Sequence, residues 1–302
     1  MNSVIVALLG VYLFIVMGYL AKRIFKAQID DKTITILNVY FLQVFLTFWG
    51  LLKHPIDTTL LSAPALYLLI VLAVLGFTLF MARRLFSDPK ERSIATVAAV
   101  IGNTGNLGIP LSIALFGEDS IPYTTVVNLM NVFVVYTFGV YFYSRGSFSI
   151  QDSLKNIVKL PIIWAAFFAI LLNLFSYEPS RVVDQTLMMG AYASMTMQLF
   201  LFGIYLYDVK FMEISKRLLS WTISIKFIAL PLITYGVLSL FNLDPMIKGI
   251  LFLELLMPLA VANVNLASLY ECEPKIVTAL VMITSLLFLG VIFLGVKLLA
   301  YL

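Results

Sequence analysis

Residues 102–111 read Gly102-Asn103-Thr104-Gly105-Asn106-Leu107-Gly108-Ile109-Pro110-Leu111. They interrupt an otherwise apolar run from Ile94 to Phe116, long enough to cross a bilayer core of about 30 Å as a helix. Glycine weakens a helix by about 1 kcal/mol and proline by about 3 relative to alanine, so this composition opposes a continuous helix. In lipid, the backbone groups such a break frees must find partners within protein or line a wet cavity. The stretch reads as a broken membrane helix. A second one lies at Leu256–Pro274, LMPLAVANVNLASLYECEP, with Met257-Pro258 in its middle and Asn263 and Asn265 just after.

The rest of the chain supports a membrane setting. Of 302 residues, 62% are hydrophobic and 12% charged, and the mean hydropathy is +1.02. Soluble domains are about 45–50% apolar and 25% charged, so too little polar surface exists here to face water. Ten segments reach spanning length: Ser3–Ala21, Thr33–Leu52, Ala63–Ala82, Ile94–Phe116, Ile121–Tyr143, Ile157–Phe175, Val182–Tyr207, Leu218–Leu240, Met246–Leu269 and Ile276–Ala300. Ser3–Ala21 reads as a retained first span rather than a cleaved signal. Ten-residue alternating strands are absent from the pattern, which predicts an all-α integral membrane protein.

Fifteen of the 20 basic residues fall in odd-numbered connectors, among them Lys22, Arg83, Arg84, Arg92, Arg145, Lys155, Lys159 and Lys210. Only Lys53, Arg181 and Lys248 fall in even-numbered ones. Positive charge favours the cytoplasmic side, so both termini are expected outside a multi-pass protein of the inner or plasma membrane. The longest polar connector, residues 146–156, then separates two halves, 1–145 and 157–302. An odd-numbered five-span unit repeated in tandem inserts upside down the second time. The broken spans, fourth and ninth, occupy matching places in the halves, and such breaks mark midplane binding sites in transporters built on inverted repeats.

Gly102-Asn103-Thr104, Gly108-Ile109-Pro110-Leu111 and Ala114-Leu115-Phe116-Gly117 resemble the first signature of the auxin efflux carrier family, which includes plant PIN proteins and bacterial carriers. Met257-Pro258, Asn263, Ala267, Tyr270 and Pro274 resemble its second, and Lys226 with Pro231 its eighth helix. The chain departs from the family where helices two and seven often carry proline, having Gln43 and Thr196 there. The resemblance implies two inverted five-helix repeats with crossing helices 4 and 9, related to bile acid symporters and sodium/proton antiporters. It implies a transport domain of helices 3–5 and 8–10 against a scaffold of helices 1, 2, 6 and 7 that commonly dimerises. It also implies transport of a small organic anion, auxin-like or a mono- or dicarboxylate.

Half-helix N-termini offer unpaired N–H groups and partial positive charge, which suit a carboxylate. The break residues are Gly105, Gly108, Pro110, Met257 and Pro258. Asn103, Asn106, Asn263 and Asn265 are candidate substrate ligands, since an amide holds a carboxylate without the cost of a buried ion; capping of the half-helices is the competing use. Gln43 and Gln198 either line the cavity or pack between helices. Asn128 and Asn131, three apart on span five, share a face suited to interhelical hydrogen bonds. Two charges sit at membrane depth, Lys226 and Glu254. Lys226 is either a fixed cation balancing carbonyl ends at the crossing, a partner of Glu254, or a snorkelling side chain. Glu254 either takes up a coupling proton or cation or joins helices by a hydrogen bond.

Other functions lack parts. The nucleotide loop G-x-x-x-x-G-K-[ST] is missing from the chain. Tyr207-Asp208 has no G-x-G-D partner for an aspartyl protease, and the one histidine, His54, falls in a loop. One cysteine, Cys272, and one histidine build neither an internal disulfide nor a metal cluster. The expectation is a non-enzymatic secondary transporter without cofactor, with H+ or Na+ coupling open, bilayer-embedded, homodimeric and without nucleic acid. The alternatives are a sodium- or proton-coupled symporter of the bile-acid type, an anion channel and a ligand-sensing membrane protein.

Overall fold

The computed structural model describes residues 2–53, 55–144, 160–207 and 214–299, with side chains described from residue 9 to residue 298. His54, Arg145, Lys155, Lys159, Asp208, Lys210 and the expected connector 146–156 lie outside the described residues. Among those described the chain is helical throughout, with no strand and one isolated antiparallel bridge, Gly102 to Leu259.

The helices are α1 (Asn2–Phe25), α2 (Asp31–Leu52), α3 (Thr58–Leu85), α4 (Pro89–Val97), α5 (Thr104–Phe116), α6 (Glu118–Tyr143), α7 (Pro161–Leu174), α8 (Arg181–Tyr207), α9 (Lys216–Ser239), α10 (Pro245–Leu256), α11 (Ala262–Leu269) and α12 (Pro274–Leu299). Six of them, α2, α3, α6, α8, α9 and α12, are long and apolar enough to cross a membrane. α5 and α7 are shorter apolar helices. Large apolar side chains on many faces, Leu13, Leu72, Phe167, Phe168 and Leu232 among them, are exposed, as lipid-facing helices require.

Helix starts follow local chemistry. Asp88 precedes Pro89 and accepts the Glu91 N–H at 2.8 Å; Asp244 precedes Pro245 and accepts the Met246 N–H at 2.8 Å. A carboxylate cap satisfies first-turn donors, and proline there lacks only an N–H that would have no partner anyway. Asp30 caps α2, accepting the Thr33 hydroxyl and the Lys32 N–H. Its carboxyl is held below the ordinary value, first by the Thr33 hydrogen bond.

The chain forms two compact units. Unit 1 contains Met1–Pro64, Gly105–Leu129 and Val158–Asp208. Within it α8 packs on both α1 and α2, and α2 also packs on α7. Gly18 of α1 and Gly203 of α8 let the two backbones touch: a Cβ at Gly18 would fall on the Phe200 carbonyl, and one at Gly203 on the Ile15 carbonyl. Small residues allow such approach between membrane helices. Trp49 donates to Asp184 at 3.2 Å, and Lys53 pairs with Glu118 at 2.6 Å. Where proline is missing from α2, a π-helical turn at Asn38–Leu42 supplies the irregularity directly before Gln43. α8 runs unbroken through Thr196.

Unit 2 contains Ala65–Thr104, Met130–Ile157 and Val209–Leu302. It holds α4, α9, α10, α11 and α12, most of α3 and the later part of α6. The extended residues Ile101–Asn103 and Met257–Pro258 fall within it, whereas Gly105, Gly108 and Pro110 belong to unit 1.

Candidate functional site

The sequence around Ile101 and around Pro258 ends two helices and then restarts them. After α4, a 3-10 turn at Ala98–Val100 gives way to Ile101–Asn103, and helical turns resume at Thr104. After α10, Met257 adopts φ −51° and ψ 143°. A following proline pushes its predecessor out of the helical region in this way. α11 then begins at Ala262.

The two extended segments run antiparallel and pair. Asn103 donates its N–H to the Pro258 carbonyl at 2.9 Å, and Ala260 donates to the Ile101 carbonyl at 3.0 Å. Backbone groups freed by one break are thus taken up by the other, which meets the demand for internal satisfaction.

Side chains take up several of the groups that remain. Asn131 of α6 donates to the Gly102 carbonyl and to the Thr104 hydroxyl, each at 2.9 Å, while its Oδ1 accepts the Tyr67 hydroxyl at 3.0 Å. Asn263 donates to the Ile101 carbonyl at 3.1 Å and the Ala260 carbonyl at 3.0 Å, and its Oδ1 accepts the Tyr143 hydroxyl at 2.9 Å. The Leu259 N–H donates to the Thr284 hydroxyl at 3.4 Å. Two buried tyrosine–asparagine pairs therefore grip successive carbonyls, 101 and 102, of one segment.

Lys226 enters the same place from a π-helical turn at Ile225–Ala229 of α9. It is 1% exposed, and its Nζ donates to the Ala99 carbonyl at 3.2 Å, in the turn that ends the first half-helix. A helix C-terminus carries partial negative charge, so a cation is favoured there. A Cβ at Gly102 would lie 3.3 Å from the Lys226 Nζ, 3.6 Å from the Glu254 carbonyl and 3.7 Å from the Met257 carbonyl. Glycine at 102 thus lets lysine and the end of α10 close on the segment. A contact of the buried Lys226 is thus the Ala99 carbonyl. Glu254 is buried in the last turn of α10.

Asn103 differs from the other two asparagines. It is 3% exposed, its backbone holds the crossing, and among the described residues its side-chain Nδ2 has no hydrogen-bond partner. A buried unpartnered amide costs about 1–3 kcal/mol, which a ligand oxygen would relieve. Asn265 lies on the exposed side of α11, away from buried Asn263. Met257 and Pro258 form the second break itself.

The remaining candidates belong to unit 1. Asn106, half-buried, and Gly105 and Gly108 sit in the π-helical turn Thr104–Gly108, and Pro110 occupies the first turn of the helix that follows. A Cβ at Gly105 would lie 2.9 Å from the Asn128 Oδ1 and 3.3 Å from the Gln43 Nε2, so those amides gather on that glycine. Gln198 donates to the Ser194 hydroxyl at 3.4 Å, Ser194 donates to the Asn38 Oδ1 at 3.0 Å, and both the Gln198 Oε1 and the Asn38 Nδ2 lack partners.

Sequence reasoning missed Tyr67, Tyr143 and Thr284. Each reads as an ordinary residue of an apolar span, and no spacing rule pairs Tyr143 with Asn263. Among the described residues no group of acidic, histidine or cysteine side chains could hold a metal ion.

The profile of a family described as membrane transport protein matches residues 3–155 and 147–294. The chain belongs to that family, the one its auxin-efflux-carrier-like signatures indicated. It is also 25% identical over 290 residues to an uncharacterized transporter of Methanocaldococcus jannaschii, covering 91% of this chain and 92% of that one. The protein is therefore a multi-pass membrane transporter.

Proposed function

We propose that the chain is a secondary transporter that moves a small organic anion, auxin-like or a mono- or dicarboxylate, by alternating access. The observation that carries this is Asn103: a buried amide nitrogen with no hydrogen-bond partner among the described residues, at a crossing of two broken helices. The half-helices that start at Thr104 and Ala262 add N-terminal partial positive charge. Lys226 supplies a fixed cation beside the carbonyl end of α4. H+ and Na+ are both open as coupling ions, and Glu254 is the candidate for any proton coupling.

In this reading the ten segments form two inverted five-helix repeats, with both termini outside the cell or inner membrane. Helices 3–5 and 8–10 form the transport domain, and helices 1, 2, 6 and 7 a scaffold that pairs in a homodimer. Asn103 is the leading substrate ligand, with Asn265 in unit 2 and Gln43, Asn106 and Gln198 in unit 1 as further candidates. Asn263, whose amide hydrogens are both engaged, braces the crossing. The protein performs no covalent chemistry.

Proteoliposomes loaded with unlabelled acid test the reading. Saturable uptake and counterflow of a labelled mono- or dicarboxylate is the expected result. Ion currents far above carrier rates would make the protein a channel. Uptake of no carboxylate would overturn the anion assignment.

A further inference from the structure

Unit 2 holds a cavity of about 480 Å³, framed by the end of α3, the start of α4 and the end of α6. We propose that this cavity is a binding site for a phosphate-bearing anion, held by Arg83, Arg92 and the hydroxyl of Ser93. It is separate from the crossing and does not depend on the transport reading.

Four observations carry the assignment. Arg83 and Arg92 line the cavity from two different helices, and guanidinium forks match phosphate oxygens in charge and geometry. Ser93 is 9% exposed and lines the same space, and among the described residues its hydroxyl has no hydrogen-bond partner. A serine hydroxyl lining the same space as two arginines adds a donor for an anion's oxygen. The walls are fixed in advance: the Thr78 hydroxyl of α3 donates to the Thr96 carbonyl of α4 at 2.7 Å, and the Thr96 hydroxyl donates to the Arg92 carbonyl at 2.7 Å.

Asp88, Glu273 and Arg84 have partners elsewhere. Asp88 caps α4 through the Glu91 N–H. Glu273 pairs with Lys90 at 3.5 Å. Arg84 stacks on Phe80, 4.0 Å from the ring centre. Among the described residues that line it, the cavity has two arginines and no acidic side chain. Leu79 and Phe142 make its other wall apolar. The space exceeds that of a bare phosphate, so the chemistry fits a phosphate ester with an organic part. An anionic phospholipid and a soluble organic phosphate both have it.

The test uses the full chain purified in neutral detergent, titrated separately with dioctanoyl phosphatidylglycerol and with glycerol phosphate, with binding followed by calorimetry. Wild type should bind at least one probe. Binding of the lipid alone identifies a membrane source, of the ester alone a soluble one, and of both the shared phosphate. Arg83→Gln combined with Arg92→Gln should weaken binding on the order of tenfold or more. Should that pair fail to fold, Arg83→Gln alone, at an exposed position, and Ser93→Ala carry the test, each expected to weaken binding several-fold. Asn103→Ala should leave it unchanged. No binding of either probe to wild type, or equal binding by the folded arginine variants, would overturn the proposal.

Discussion

The Tyr143 hydroxyl donates to the Asn263 Oδ1 at 2.9 Å, joining residues 120 positions apart. This bond turns the Asn263 amide so that both its hydrogens meet carbonyls, those of Ile101 and Ala260. Asn263→Leu would leave the Tyr143 hydroxyl without this partner, while the Ile101 and Ala260 carbonyls keep their backbone donors. A buried polar group so stranded costs about 1–3 kcal/mol, whereas Tyr143→Phe should cost about 1 kcal/mol. Thermal or denaturant unfolding in detergent measures both. A loss below about 0.5 kcal/mol for Asn263→Leu would remove it from the bracing role.

Asn103 should behave in the opposite way. Its side-chain Nδ2 makes no hydrogen bond, so Asn103→Ala should leave the melting temperature nearly unchanged. Loss of one hydrogen bond to a charged ligand group, about 1.5–3 kcal/mol, corresponds to a fall in apparent substrate affinity on the order of tenfold or more. Uptake kinetics in proteoliposomes read this directly, and wild-type kinetics would mean that the amide does not touch the substrate.

Lys226→Met separates charge from packing. The buried lysine makes a hydrogen bond to Ala99, and replacing a buried charge by an apolar side chain of similar volume is often neutral or stabilising. The variant should fold as well as wild type, yet transport should fall by on the order of tenfold if the charge acts on the anion. Equal transport with equal stability would make the lysine a packing element.

Gly203→Val and Gly18→Val should destabilise unit 1 by about 1–3 kcal/mol or more, since each side chain meets backbone that cannot yield. Gly76→Ala is the control: open space surrounds it in α3, and alanine should add up to about 1 kcal/mol. Unfolding of the three variants in the same detergent makes the comparison. Tolerance of valine at 203 would contradict the α1–α8 packing.

Much of the fold is legible because each break is written in residues that cannot do otherwise. Pro258 forces Met257 out of the helix, and Gly102 alone leaves room for Lys226. The start of the fourth helix was less visible. Length alone places it at Ile94, but Asp88 and Pro89 start it earlier, and Lys90, Glu91 and Arg92 disguise its first turn as a loop. The π-helical turn before Gln43 leaves no trace in composition, because a shift in hydrogen-bond register needs no particular residue. Within the site, Asn103 and Asn263 look alike as letters. Only their partners distinguish a filled amide from an open one, and those partners come from distant helices.

The pairing of Ile101–Asn103 with Pro258–Ala260 is made by main-chain atoms. Main-chain bonds do not depend on which side chain the residue carries. The residue at 103 can therefore change without loosening the join it sits on. A family built on this join can vary the side chains along it while the architecture stays put.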